Sequence, residues 1–251
     1  MAESRAGRIW RLVARQAGSD GGRPTVAHAC AAAMPAVDVS GAWVTAASPP
    51  GPNHVMCVTG QISEQLAELQ VTLGEGPCQD VAGTGGPVLA SDLGAGEAIG
   101  RWPGFAPAAQ RLGAQAAFAF PLRIGAIWVG ILGLYRETPG PLSPVQLRDA
   151  LLLADTAAVL LLDGQARAAD SKPGRSTPGG QSADLARRRA EIDQATGILT
   201  EQLGVGITEA FLRLRAHAYA HNRRLSAVAR DIVAHRLRLC RDPGPPQDGR
   251  T

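Results

Sequence analysis

Ten arginines crowd positions 183–239 of this 251-residue chain: Arg187, Arg188, Arg189, Arg213, Arg215, Arg223, Arg224, Arg230, Arg236 and Arg238. Only Asp184, Glu191, Asp193, Glu201, Glu209 and Asp231 oppose them. Ten bases less six acids leaves +4 there, against +3 for the whole chain, so the remainder is close to neutral. Guanidinium is planar, permanently charged and rich in donors, which suits it to phosphate. A small basic segment beside a neutral one fits a polyanionic partner; by charge alone it fits an ordinary solvated helical surface equally well. The same segment holds Gln194-Ala195-Thr196-Gly197-Ile198-Leu199 in the middle of a helical pattern. A glycine inside a helix costs about 1 kcal/mol relative to alanine, so Gly197 points to a close approach at that place.

Other chemistries find less support in the residue types. The cysteines Cys30, Cys57, Cys78 and Cys240 form no C-x-x-C pair, which argues against a zinc ribbon or redox dithiol motif and fits a reducing compartment. Gly74 and Gly76 lack the following lysine and Ser/Thr of a phosphate loop, so they read as a turn. Cys78 has no neighbouring histidine or second cysteine and reads as a buried structural residue. His217 and His221, four apart on a helix, are the one candidate metal clip, without ligands to complete it. No catalytic constellation is visible, and neither metal nor cofactor is expected. No run approaches the roughly 20 apolar residues that span a bilayer, and no N-terminal stretch has the pattern of a signal peptide; a cytoplasmic protein without membrane contact is expected.

The elements that must position these residues fall into two groups. Residues 8–34 suggest a helix, a loop and a second short helix. Strands follow at 41–47 and 54–60, joined by a Pro/Gly turn at 49–53 as a hairpin. A helix over 62–69 leads into a loop at 72–80, then a short strand at 87–90 and a Gly-rich tip at 94–100. A helix over 105–112 precedes strands at 116–122 and 127–135 that turn at Gly125. Ser143 caps a long helix whose first residue is Pro144. The expected architecture is α+β: an antiparallel sheet of about five strands with helices packed on one face. A Pro/Gly/Ser-rich linker over 166–182 separates it from an all-α bundle of three helices over 183–240. Residues 1–24 form an entry segment, 25–165 the α+β domain, and 241–251 a disordered tail.

In the bundle, Leu185, Ile192 and Leu199 fall seven apart with Leu203 beyond them, close to a coiled-coil seam that would pair the first helix with itself in a dimer. Gly204 and Gly206 end that helix, and Thr208 caps the next. Ala210, Leu214 and either His217 or Ala218 share one face of the second helix; Leu225, Val228, Ala229 and Ile232, with Leu239 beyond them, face inward from the third.

Two family resemblances rest on these residues. Leu73-Gly74-Glu75-Gly76-Pro77-Cys78, Val88-Leu89-Ala90-Ser91-Asp92-Leu93 and the strand pair at 118–122 and 129–134 resemble the GAF family of sensory domains over about residues 25–165. That resemblance implies a small-molecule or protein signal, with Trp43, Cys78, Phe118, Phe120 and Trp128 as candidate pocket residues; core packing explains the same aromatic residues. Ile192-Asp193-Gln194-Ala195-Thr196-Gly197-Ile198-Leu199, Glu209-Ala210, Leu214-Arg215-Ala216-His217-Ala218 and Asn222-Arg223-Arg224-Leu225-Ser226-Ala227-Val228-Ala229 resemble the ANTAR family of RNA-binding antiterminators. Thr196 stands where many of its members carry lysine. This second resemblance implies a homodimer that binds hairpin loops in nascent mRNA leaders and prevents a terminator from forming.

Splayed loop bases stack on flat groups. Gln194, Ala195 and Gly197 would admit the RNA to the first helix, Arg215, Arg223 and Arg224 would clamp phosphates, and Tyr219 would offer a stacking face. Two other classes stay open: a DNA-binding regulator that uses the last two helices as a helix-turn-helix, and a dimerisation or interaction protein without nucleic acid.

Overall fold

The computed structural model describes residues 4–19, 21–47, 53–170 and 180–239. The chain divides into two compact units at 186/187. The larger unit opens with helices α1 (Arg5–Ser19) and α2 (Val26–Val37), then strands β1 (Gly41–Ala46) and β2 (His54–Val58). Helices α3 (Gln61–Leu73) and α4 (Pro77–Thr84), strand β3 (Val88–Ala90), and helices α5 (Gly96–Arg101) and α6 (Phe105–Arg111) follow. Strands β4 (Ala116–Ile124) and β5 (Ile127–Arg136) lead to the long helix α7 (Pro144–Asp170). The division falls within α8 (Gly180–Leu203), and the smaller unit is built from that helix beyond Ala186 with α9 (Ile207–Ala220) and α10 (Leu225–Val233).

The five strands form one antiparallel sheet in the order β2-β1-β5-β4-β3. Its central strands are buried on both faces, which explains their nearly unbroken apolar runs. The pleat sends successive side chains to opposite sides. Phe118, Phe120 and Leu122 of β4, with Ala42 and Val44 of β1 and Leu132 and Leu134 of β5, join one core with α1, α2 and α7. Ala117, Ala119, Trp43, Ile131 and Tyr135 join the other, with α3, α4, α5 and α6. Helices therefore cover both faces of the sheet, not one as expected.

At the centre of the second core, Trp43 lies opposite Gly133 in the β1–β5 register. A Cβ at Gly133 would stand 2.1 Å from the indole Cε2, so only glycine leaves room for the ring. Burial of an indole is among the larger apolar contributions a single residue makes, with truncation costing roughly 3–5 kcal/mol. On the other face, the buried Asp149 carboxylate of α7 accepts hydrogen bonds from Arg5 (Nη1, 3.1 Å) and from Arg8 of α1. An acid at that depth is tolerated because it is paired, and the pairing fixes α1 across α7.

The N-terminus of α7 is capped as its sequence indicates. Ser143 Oγ accepts from the Gln146 N–H (3.3 Å) while Gln146 Oε1 accepts from the Ser143 N–H (2.9 Å), a reciprocal capping box. Helices α4 and α5 differ from expectation, since their sequences lie in stretches that read as a loop and a Gly-rich tip. In α4, Pro77 sits at the first turn and Gly85 closes the helix in the left-handed region. Helix α7 runs on to Asp170 and α8 starts at Gly180, so the ends of the expected linker are helical; its middle, 171–179, lies outside the described residues, as do the turn residues 48–52 and the expected tail. Among the described residues, no helix is long and apolar enough to cross a membrane.

The Trp43–Gly133 contact gives a direct stability test. Gly133→Ala forces the ring or the strands apart and should destabilise the protein by about 2 kcal/mol, read as a lowered midpoint in chemical denaturation. An unchanged midpoint would show that the indole relocates at no cost.

Candidate nucleic-acid interface

The buried apolar residues of the smaller unit are Ala195, Leu199 and Leu203 on α8, Ala210, Leu214 and Ala218 on α9, and Leu225, Val228, Ala229 and Ile232 on α10. They recur at three- and four-residue intervals, the pattern of helices that share one core. Gly204 ends α8 at φ 64° and Gly206, not Thr208, caps α9. Asn222 turns the chain at φ 47°, and the Arg223 N–H returns to the Ala218 carbonyl at 2.9 Å. Leu199 and Leu203 are buried within a single copy, which removes them from the expected seam between copies. Ala218, rather than His217, is the buried member on α9.

The mid-helix motif of α8 splits between inside and outside. Ala195 is completely buried, and Thr196 is buried with its Oγ1 donating to the Ile192 carbonyl at 2.8 Å. Gln194 and Gly197 are exposed. Ala195 is thus a core residue and not the surface notch expected of it, because the helical period places it with Leu199. A Cβ at Gly197 would meet nothing within 4 Å, so packing within the unit does not require this glycine.

The arginines also divide. Arg223 Nη2 donates to Asp231 Oδ2 at 2.5 Å, and Arg236 Nη2 donates to the same carboxyl's Oδ1 at 2.6 Å. These two hydrogen bonds hold the Asp231 carboxyl below the usual carboxylate range. Arg223 is half-buried in this cluster, which corrects the expectation of a fully exposed phosphate clamp. Arg224 is exposed and, among the described residues, makes no ion pair. Arg230 Nε faces both oxygens of Glu191 at 3.4 Å.

Burial, followed by repulsion from Arg224 and Arg230, lowers the Arg188 guanidinium, against the attraction of Glu191. Arg188 on α8 therefore lies within electrostatic reach of Arg224 at the start of α10, of Arg230 further along it, and of Glu191. Arg215 is half-buried, and burial lowers it. Tyr219 presents its ring with 63% of its surface exposed. The rings of His217 and His221 stack at 4.0 Å, and burial, then His221 and Arg223, lower His217. No group of three or more metal-ligating residues occurs among the described residues.

The five residues expected to line a single ligand pocket do not share one. Phe118 and Phe120 face the core of α1, α2 and α7, whereas Trp43 and Cys78 face the opposite core. Trp128 is half-buried and donates its indole N–H to the Gly130 carbonyl at 2.6 Å. For the strand residues the reason is register: Trp43 aligns with Gly133 and, across it, with Ala119, so Phe118 and Phe120 on either side of Ala119 face the opposite way. Cys78 is buried, its N–H donates to Gln70 Oε1 at 2.7 Å, and burial pushes its thiol up to about 12. It is not a thiolate at neutral pH.

Residues 25–162 match the family model of the GAF domain. The chain belongs to the GAF family. Residues 183–233 match the model of the ANTAR domain, so a GAF domain is followed by an ANTAR domain. Among solved structures, the chain is similar to the GAF domain of a phosphoenolpyruvate-protein phosphotransferase from Coxiella burnetii, with 17% identity and a TM-score of 0.50 over 66% of this chain and 99% of that one. It is also similar to the GAF domain of the corresponding Acinetobacter protein, at 11% identity and a TM-score of 0.49 over 67% of this chain and 99% of that one. At such identities the likeness concerns the fold. A comparison with curated proteins finds no match.

GAF domains are sensors and ANTAR domains bind RNA, so the two matches describe a regulatory architecture. Within the ANTAR domain, Arg188 and Arg230 stand outside the residues singled out from the sequence as RNA contacts, although the structure sets both beside Arg224 or Glu191. They lie 42 positions apart in the numbering, and only the packing of α10 beside Glu191 brings them together.

The Asp231 cluster predicts a pH dependence. Its pKa in the folded protein lies below that of the unfolded chain, so its contribution is full above the ordinary carboxylate pKa and is lost as pH falls through the lowered value. Asp231→Asn should reduce stability at neutral pH and flatten the acid limb of a denaturation–pH profile. A profile that keeps its acid limb would place the pH-sensitive group elsewhere.

Proposed function

We propose that this protein is a non-catalytic, signal-responsive regulator whose ANTAR domain binds hairpin loops in nascent mRNA and prevents transcription termination, acting as a homodimer. The division into a sensor at 25–165 and an RNA-binding unit at 183–240 is part of that proposal. Support comes above all from the arginine group of Arg188, Arg224 and Arg230. Arg188 feels the like charges of Arg224 and Arg230, Glu191 offsets them only in part, and a polyanion relieves the remaining repulsion. Tyr219 supplies an exposed ring for stacking of an unpaired base, and Gln194 and Gly197 leave an uncrowded stretch of α8 open to a partner. The sensor controls the output by dimerisation or occlusion.

The test is competition binding with the full chain at roughly 150 mM salt, where a structured hairpin RNA should displace duplex DNA of equal charge. Arg224→Ala is the cleanest variant, because Arg224 makes no side-chain cap to α10 and its removal leaves the core untouched. Together with Arg230→Ala it should weaken hairpin binding at least tenfold. It should also reduce the slope of log affinity against log salt by about 0.7 for each single-stranded phosphate no longer neutralised. Unchanged affinity with an intact fold would remove the cluster from the interface. Equal competition by duplex DNA would favour the DNA-binding reading instead.

A further inference from the structure

Cys30 and Cys57 meet in the core that α1, α2 and α7 form with the sheet. Cys30 lies on α2 and Cys57 on β2, the edge strand. Cys30 Sγ points at the Cys57 carbonyl at 3.9 Å, and Cys57 Sγ donates to the Val26 carbonyl at the start of α2 at 3.5 Å. Each thiol is therefore directed at the other cysteine's element. Cys57 is also a side-chain hydrogen-bond partner of the Cys30 thiol, which burial, first of all, raises well above its ordinary value. Both cysteines are free thiols in this structure. Cys78 is equally buried but lies in the opposite core, with Gln70 and Trp43 as its hydrogen-bond partners.

We infer that Cys30 and Cys57 are an oxidisable dithiol that closes into a disulfide joining α2 to β2 when the protein meets a hydroperoxide. Disulfides in reducing compartments are mostly transient and redox-sensing, and a non-local thiol pair is invisible to a search for C-x-x-C. The first oxidation is assigned to Cys57, which lies on the edge strand. The peroxide O–O bond breaks and one oxygen passes to Cys57, giving a sulfenic acid, while the remaining fragment leaves as an alcohol, or as water from hydrogen peroxide. The Cys30 sulfur then displaces the sulfenic hydroxyl; the S–S bond forms, and that hydroxyl leaves with the Cys30 proton as water. The dithiol loses two electrons and the peroxide gains them. Burial of both sulfurs slows their meeting with the oxidant, so the pair reports sustained oxidant rather than a brief pulse.

The cross-link has a mechanical consequence inside the domain. α2 packs on both α1 and α7, so fixing its start to the edge strand stiffens the layer that carries the domain's last helix.

The experiment treats the full-length protein with hydrogen peroxide, blocks the remaining thiols by alkylation, and maps peptides by mass spectrometry without reduction. A Cys30–Cys57 linked peptide should appear with peroxide and vanish on reduction, while Cys78 remains alkylatable after unfolding. Cys30→Ala should trap Cys57 as a sulfenic acid, captured by a dimedone-type probe, and Cys57→Ser should abolish the linked peptide. Two results would overturn the proposal: both thiols alkylated to the same extent with and without peroxide in a folded wild-type protein, or oxidation to sulfinic acid at each cysteine separately. Because wild type alone distinguishes these results, a variant that fails to fold does not decide the matter.

Discussion

The Trp43 ring fills space that exists because its cross-strand neighbour is Gly133, and the arrangement of the larger unit follows from contacts of this kind. A five-stranded sheet buried on both faces must assign every central side chain to one of two cores. Large and small residues are set opposite one another so that each core fills without voids. In β4 the large residues Phe118 and Phe120 go one way and the alanines Ala117 and Ala119 the other. The first core receives the bulk of β4 and closes on the long helix α7; the second receives the Trp43 indole and closes on the four shorter helices. The GAF interior is consequently packed around its aromatic residues, and those five side chains do not line one cavity together.

In the ANTAR domain the organising factor is charge laid over a core of small residues. Alanines at 195, 210, 218 and 229 are buried in that core, and folding brings arginines that are distant in sequence to shared carboxylates, as Arg223 and Arg236 at Asp231 show. Acids neutralise much of the excess: Glu209 pairs with Arg213, Asp193 with Arg189, Glu191 with Arg230, and Asp231 with both Arg223 and Arg236. Exposed pairs of this kind contribute little stability individually. Their effect is to sort the arginines into those held by the protein itself and those, such as Arg224, that stand without an ion-paired carboxylate among the described residues.

Much of this is legible in the sequence because it rests on local rules. The strands announce themselves by apolar runs, α7 by Ser143 and Pro144, and α8 to α10 by helical spacing interrupted at Gly204 and Asn222. The inward residues Leu214, Leu225, Val228, Ala229 and Ile232 follow from that spacing. What escapes is non-local. The unbroken apolar runs of β1, β4 and β5 hint at cover on both faces, but which helices supply it is not written in any one strand. The parity that separates Trp43 from Phe118 depends on register between strands, which one sequence does not supply. The small size of Ala195 suggests a surface notch, yet the same size suits tight packing between helices. Arg223 reads as a free cation because Asp231, eight residues on, becomes its partner only after the chain turns at Asn222.

The regulatory account turns on whether the ANTAR domain's arginine group engages folded transcripts. Crosslinking the intact protein to RNA in cells, followed by sequencing of the bound fragments, tests this most directly. The account predicts enrichment of leader segments that fold into paired stem-loops ahead of terminators, with the enrichment abolished when Arg224 and Arg230 are both replaced by alanine. Fragments recovered without any structural preference, or an unchanged profile in the double variant, would contradict it.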